Sequence, residues 1–337
     1  MERKEVLRVN DLQTHFKTDD AIIPAVDHVD FHVKEGEVLG IVGESGCGKS
    51  VTSLSLMGLI PKPPGEIVGG EVLLHGEDIV HLKEKEMRKI RGKQIAMIFQ
   101  EPMTSLNPLF TIGDQMTEAV FIHEKISKRE AKKKVVDMLT LVGLPRAENL
   151  LKDYPHQLSG GMRQRVMIAM ALILEPEVLI ADEPTTALDV TTQAKILKLI
   201  KDLNERLKTA VLFITHDLGV VAEMCERVIV MYAGQVIEEA PVKELFEEPK
   251  HPYTKGLIQS VPDIRSKEER LYSIQGTVPM PGTITKGCRF ADRCAFRFDR
   301  CTQEDPELYE VSGKQKVRCF LHTEEGSHVN DEATVKS

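Results

Sequence analysis

Eight residues, Gly43-Glu44-Ser45-Gly46-Cys47-Gly48-Lys49-Ser50, constrain this chain more than any other feature in it. The apolar run Val38-Leu39-Gly40-Ile41-Val42 before them reads as a buried strand. Val51 to Ile60 after them reads as a helix stopped by Pro61. A glycine-rich loop between a strand and a helix is the context that a phosphate-binding loop requires. Its glycines let the backbone wrap an anion with successive N–H groups pointing inward. The helix N-terminus adds partial positive charge. Lys49 is placed to reach the outer phosphates of a nucleotide and Ser50 to ligate Mg²⁺.

At 337 residues the chain has room for one large domain and a small one. No apolar stretch approaches the roughly 18–20 residues that span a bilayer. The start, Met-Glu-Arg-Lys-Glu, is not followed by an apolar signal region. A cytosolic protein is expected, with any membrane role supplied by partners. The net charge of −8 argues against a nucleic-acid surface. Six cysteines in such a setting point to thiols or metal ligands before disulfides.

Residues 1 to about 40 alternate apolar and polar, with breaks at Asp19-Asp20 and Glu35-Gly36, and read as short antiparallel strands. Gly69 to Leu74 continues that pattern, and Gln94 to Phe99 reads as a buried parallel strand. From about 101 to 157 the pattern is helical. Ser127-Lys128-Arg129-Glu130 is a capping box. Behind it Ala131, Val135, Met138, Leu139 and Val142 share one helical face, and Gly143 is a terminator. Strand and helix then alternate again over Val178–Ala181, Gln193–Leu207 and Ala210–Ile214. The expected architecture is α/β, with a helical insertion. After about 255 the periodicity fades. Pro262, Pro279 and Pro281-Gly282 lead into a cysteine-bearing tail whose end, from about 325, reads as disordered.

Val178 to Ala181 runs straight into Asp182-Glu183. A continuous apolar run suits a central parallel strand, and ligands gather at the carboxyl ends of such strands. Asp182 is thereby expected to hold Mg²⁺, and Glu183 to activate the attacking water. Just upstream, Ser159-Gly160-Gly161 opens a helix and forms a second anion nest. One nucleotide does not need two such nests, so the second is expected to complete the site of a facing subunit.

Together these residues resemble the ATP-binding-cassette (ABC) ATPases over residues 1 to about 255, with a helical subdomain at about 101–165. Gly43 to Ser50 is similar to the Walker A motif, and Val178 to Asp182 to the Walker B. Leu158 to Gln164 resembles the signature motif, Gln100 the Q-loop glutamine, Thr186-Ala187-Leu188-Asp189 the D-loop, and His216 the switch histidine. The resemblance implies a P-loop NTPase core with an antiparallel β subdomain, and catalytic roles for Glu183, His216, Gln100 and Lys49. It implies ATP contacts from Gly43, Glu44, Ser45, Gly46, Cys47, Gly48, Lys49, Ser50, Val51, Gln100 and Asp182. It also implies Mg²⁺ ligation by Ser50, Gln100 and Asp182. Ser159, Gly160 and Gly161 would serve a partner's nucleotide. Phe16 is the candidate for the aromatic that stacks on adenine, with Ile22 or Ile23 as alternatives.

Gln100-Glu101-Pro102-Met103-Thr104-Ser105-Leu106-Asn107-Pro108, His251-Pro252-Tyr253-Thr254 and the cysteine tail resemble the oligopeptide/dipeptide permease ATPases, in their D-type subunit. Residues 256–337 would then form a small, irregular, Cys-rich extension. Its cysteines, Cys288, Cys294, Cys301 and Cys319, are spaced C-x5-C-x6-C-x17-C. Four thiolates hold either Zn²⁺ or an iron–sulfur cluster. No close C-x2–4-C pair of the zinc type is present, and the resemblance implies a [4Fe–4S] cluster. Cys47 is expected to do nothing with its side chain, and Cys225 to be core. The resemblance further implies a second ATPase subunit in a heterodimer, two integral-membrane permease subunits, an extracellular peptide-binding protein and no nucleic acid. That arrangement puts the chain at the cytoplasmic face of the membrane. Its implied work is to energise import of di- or oligopeptides. The same pattern serves nickel, glutathione and other solutes, and a soluble non-transport cassette ATPase is the remaining class.

Overall fold

The structure, a computed structural model, describes residues 3–100, 105–186, 188–261 and 272–326. Residues 101–104 and Ala187, the Pro262 region and the end of the tail beyond 326 lie outside the described residues. The chain divides into two compact units. One comprises Met1–Leu7, His32–Val38 and Leu73–Ile214, the other Arg8–Phe31, Leu39–Val72 and Thr215–Ser337.

The first unit is built on three parallel strands, Ile95–Ile98, Val178–Asp182 and Ala210–Ile214, with Ile95 opposite Val178 and Val178 opposite Ala210. Every residue in them is buried, as expected for strands covered on both faces. Between the first two strands lie the helices Ile112–His123, Lys128–Leu141, Ala147–Leu150 and Gly160–Leu172. The capping box forms as expected. Ser127 Oγ accepts from Glu130 N at 3.2 Å, and Glu130 Oε2 accepts from Ser127 N at 2.8 Å. Ala131, Val135, Met138 and Leu139 are buried on one face, and the helix ends before Gly143 at φ +73°. The last of these helices runs to Leu172, with Met167, Ile168, Ala169 and Leu172 on its buried side.

In the second unit Val38–Val42 pairs in parallel with Arg227–Tyr232, with Leu39 opposite Arg227. Gln235–Pro241 then folds back antiparallel. The N-terminal strands are two long ones, Glu5–Lys17 and Ile22–Lys34, rather than several short ones. The antiparallel order places Glu5–Lys17 between Ile22–Lys34 and Gly65–Leu74. The helix after the phosphate loop spans Lys49–Leu56. It starts earlier and ends sooner than Val51–Ile60, because Gly58 turns the chain at φ +59° before Pro61 is reached.

The tail is less irregular than expected. Tyr309–Ser312 and Gln315–Val317 form a hairpin, and Val317 and Lys316 pair with Glu238 and Glu239 of Gln235–Pro241. Among the described residues no helix is long and apolar enough to cross a membrane.

Gly113, buried near the start of its helix, tests the packing of the insertion. A Cβ there would meet Leu151 O at 2.5 Å and Leu151 Cβ at 3.0 Å. Helix propensity alone would make Gly→Ala stabilising by up to about 1 kcal/mol. The clash reverses the sign, so Gly113→Ala should destabilise by about 1–3 kcal/mol. At Gly160 nothing lies within 4 Å of where a Cβ would stand, and Gly160→Ala should not lower the thermal unfolding midpoint.

Candidate functional site

The strand Val38–Val42 delivers a loop whose backbone is closed on itself. Lys49 Nζ donates to Gly43 O at 2.7 Å and to Glu44 O at 3.1 Å. Gly43 and Gly48 have φ +155° and +105°. A Cβ would lie 2.3 Å from Met231 O at Gly43 and 2.6 Å from Ala25 O at Gly48. Both positions therefore exclude any side chain, by space as well as by conformation. Cys47 O accepts from Gly234 N at 2.9 Å. Cys47 is fully buried, and that burial raises its thiol pKa. Ser45 and Gly46 stay exposed, and Ser50 is half-buried at the helix start.

Two residues outside the nucleotide motifs hold the same loop. Tyr253 Oη accepts from Glu44 N at 2.9 Å, and Arg293 Nη1 donates to Glu44 Oε2 at 2.8 Å. Tyr253 belongs to the His-Pro-Tyr-Thr run, but its partner is 209 residues away. Nothing local in the sequence points to Arg293. Tyr232, Tyr253 and Phe290 form an edge-to-face cluster beneath these contacts, with centroids 4.7–5.5 Å apart. His216, in the same unit, is exposed. It precedes Asp217, which caps the helix Leu218–Met224 by accepting from Gly219 N at 2.8 Å.

In the first unit Asp182 ends its strand buried. Glu183 follows at φ +46°, a left-handed conformation uncommon outside glycine, with its N–H donating to Ile214 O at 2.9 Å. Such strain persists where the surroundings enforce it. Gln100 Nε2 and Thr186 Oγ1 each donate to Glu183 Oε2 at 2.9 Å. The structure thus brings together three residues picked from three separate motifs. Buried Gln164 donates to Pro184 O, linking the signature helix to the turn after Glu183. Ser159 Oγ caps that helix by accepting from Met162 N at 3.3 Å, and Ser159 and Gly160 are exposed. Asp189 caps Val190–Leu207 by accepting from Thr192 N at 3.0 Å and from Thr192 Oγ1 at 2.7 Å. Those two bonds hold the Asp189 carboxyl below its usual range. Ser50, Gln100 and Asp182 offer hydroxyl, amide and carboxylate oxygens, the hard donors that Mg²⁺ takes.

Phe16 is half-buried against the neighbouring strand, where a Cβ at Gly65 would lie 2.9 Å from its Cε1. Ile22 is 62% exposed.

All six cysteines are free thiols. Burial pushes Cys288 and Cys319 up to about 12 and raises Cys294; the other three tail cysteines add to the rise at Cys319. The four thiols are therefore electrostatic neighbours. Among the described residues, however, no three His, Cys, Asp or Glu side chains are gathered to hold a metal ion. The expected four-thiolate site is not closed around a single point. Cys225 packs into the core, and burial pushes it up to about 12.

Glu238 is fully buried and accepts from Lys250 N at 2.7 Å, His251 N at 2.8 Å and Gln315 Nε2 at 3.2 Å. Burial raises its pKa despite these bonds. His251 Nδ1 accepts from Tyr253 N at 3.0 Å and caps Pro252–Gln259. Burial drives its pKa down to about 3.

A family model described as "ABC transporter" matches residues 26–186, and one described as "Oligopeptide/dipeptide transporter, C-terminal region" matches 237–301. The chain is 53% identical to the oligopeptide transport ATP-binding protein AppD of Bacillus subtilis, over 96% of this chain and 98% of that one. It is 50% identical to the dipeptide transport ATP-binding protein DppD of the same organism, over 96% and 97%. Among solved structures it resembles the ATP-binding cassette MJ0796, in a dimeric post-hydrolysis state bound to ADP and Pi. That likeness has a TM-score of 0.63 and 32% identity, over 70% of this chain and 98% of that one.

The depressed His251 pKa makes a pH prediction. The unfolded chain binds a proton near pH 6.5 that the folded one refuses until about pH 3. Stability attributable to this group is thus complete above the unfolded value and is lost as pH falls towards 3. His251→Asn keeps an acceptor at the cap and removes the titration. Urea midpoints of wild type and variant should converge between pH 7 and pH 4; parallel curves would show that His251 contributes no linkage.

Proposed function

From the chain's membership of the ABC transporter family, to which it belongs as an ATP-binding protein of the oligopeptide/dipeptide type, we propose the following division of labour. The chain binds and hydrolyses ATP and so energises a peptide importer. A subunit of this kind works with membrane permeases. We further assign it a second cassette subunit as heterodimer partner, a peptide-binding protein upstream, and a place on the cytoplasmic side of the membrane.

Residues 1–255 act as the nucleotide-binding domain and 256–337 as its extension. In the domain the Gly43–Ser50 loop and Val51 hold the phosphates, with Lys49 as the cation. Ser50, Gln100 and Asp182 ligate Mg²⁺, and Phe16 takes the adenine. Glu183 is the general base. Its Oε2 accepts bonds from Gln100 and Thr186, which fix its direction. This pairing is the observation that carries the assignment, since it joins two motifs 83 residues apart at one carboxylate oxygen. His216 senses the terminal phosphate. Ser159 and Gly160, exposed at a capped helix start, and Gly161 beside them serve the partner's nucleotide. Glu183→Gln should keep ATP binding and lose hydrolysis by about 10²–10⁴-fold in the assembled transporter. A wild-type rate in that variant would remove Glu183 from the role.

For the extension we propose that Cys288, Cys294, Cys301 and Cys319 hold a [4Fe–4S] cluster. Support comes from four reduced, soft, mutually interacting thiols. When bound, the cluster would supply a cross-link, and binding free energy would become folding free energy. Anaerobically purified protein should be brown and contain iron and acid-labile sulfide. Any one of the four Cys→Ser changes should bleach it, and Cys225→Ser should not. Colourless protein with stoichiometric zinc would replace the cluster with zinc, and protein with neither metal would exclude both.

A further inference from the structure

We propose that Arg293 is a positioning residue for the phosphate loop, acting through Glu44, so that the C-terminal extension sets the affinity for ATP. The inference rests on the ATPase reading and goes beyond it, because nothing in the nucleotide motifs themselves calls for the tail.

The contact is a built site. The Arg293 side chain is 6% exposed. A guanidinium carries five N–H donors, and five acceptors meet them. Nη1 donates to Glu44 Oε2 at 2.8 Å and Tyr232 Oη at 3.3 Å. Nη2 donates to Glu44 Oε1 at 3.2 Å and Ile274 O at 3.3 Å. Nε donates to Gln275 O at 2.9 Å. The guanidinium carbon also lies 5.8 Å from the centroid of Tyr232 and 5.9 Å from that of Phe290. Two parallel bonds to one carboxylate are the fork geometry that arginine provides and lysine does not.

Glu44 is the second residue of the loop, and all of its polar groups are engaged. Its carboxylate is held by Arg293, its N–H by Tyr253 Oη at 2.9 Å, and its carbonyl by Lys49 Nζ at 3.1 Å. The next two residues, Ser45 and Gly46, are exposed. Fixing a backbone residue costs conformational entropy. A loop already fixed at Glu44 by the fold is spared that cost when nucleotide binds, which is preorganisation. Because Glu44 O is also an acceptor for the Lys49 ammonium, moving Glu44 moves the seat of the loop's cation.

The test measures steady-state ATP hydrolysis in the assembled transporter for wild type, Arg293→Gln, Arg293→Lys, Glu44→Gln and the double variant Arg293→Gln with Glu44→Gln. Arg297→Gln, which loses an exposed pair with Asp292, is the control. KM for ATP should rise about tenfold in both single Gln variants with kcat within about twofold, a loss of binding rather than chemistry. Lysine should not rescue, and the double variant should be no worse than either single one. If Arg293→Gln does not fold, Glu44→Gln carries the test alone, since it leaves the extension in place. An unchanged KM, a fall in kcat at constant KM, or additive single effects would each overturn the proposal. A wild-type complex that hydrolyses no ATP would instead overturn the ATPase reading.

Discussion

A strand buried on both faces has no polar side chains to lend to the loop that follows it. That constraint governs the phosphate loop. Val38–Val42 is buried throughout, so the loop must satisfy its own backbone or recruit distant groups. It does both. Lys49 bonds back to the carbonyls of Gly43 and Glu44. Gly234 N reaches Cys47 O, and Tyr253 Oη receives Glu44 N. The same problem recurs at Val178–Asp182, where Glu183 turns left-handed and is held by Ile214, Gln100 and Thr186. In both cases polar chemistry is concentrated at the point where an apolar strand ends.

The second unit meets a related problem at Glu238, a carboxylate with no exposure. Burying a charge is costly unless it is fully hydrogen-bonded. Two backbone N–H groups at the start of the Pro252–Gln259 helix and the Gln315 amide supply the bonds. One carboxylate thereby ties a sheet strand, a helix start and the tail hairpin together. The aromatic cluster of Tyr232, Tyr253 and Phe290 packs in the same unit. The tail is thus integrated with the cassette residues rather than appended to them.

What is legible in the sequence is local or strongly patterned. The Ser127–Glu130 capping box spans four residues and needs no distant partner. The apolar runs Val178–Ala181 and Ala210–Ile214 become strands because nothing competes with burial there. The helix after the loop is shorter than its pattern suggests, since Pro61 looks a stronger stop than Gly58. The hairpin at Tyr309–Val317 leaves no signal because its strands have four and three residues, too few for a period to show. The Glu44–Arg293 pair spans 249 residues, and no spacing rule reaches that far. Glu183, Gln100 and Thr186 can each be picked from sequence motifs, but not the hydrogen bonds that join them. The expected gathering of four cysteines rests on spacing and resemblance; the thiols are neighbours without converging on one point.

The tail hairpin also bears on how the chain is made. Gln235–Pro241 receives its outer partner from residues far downstream, with 77 positions separating Glu238 from Gln315. At a synthesis rate of about 5–20 residues per second, that strand waits about 4–15 s with one edge open. An open strand edge invites pairing with other chains, and inward charges are one guard against it. Glu238 and Glu239 stand at the two positions that later receive Val317 and Lys316. Arg227, on the neighbouring strand, is available to Glu239 before the hairpin arrives; Gln315 and Lys316 come with the hairpin and complete the set. The residues that make the finished sheet costly to bury are thus also charges of the kind that guards an open strand edge.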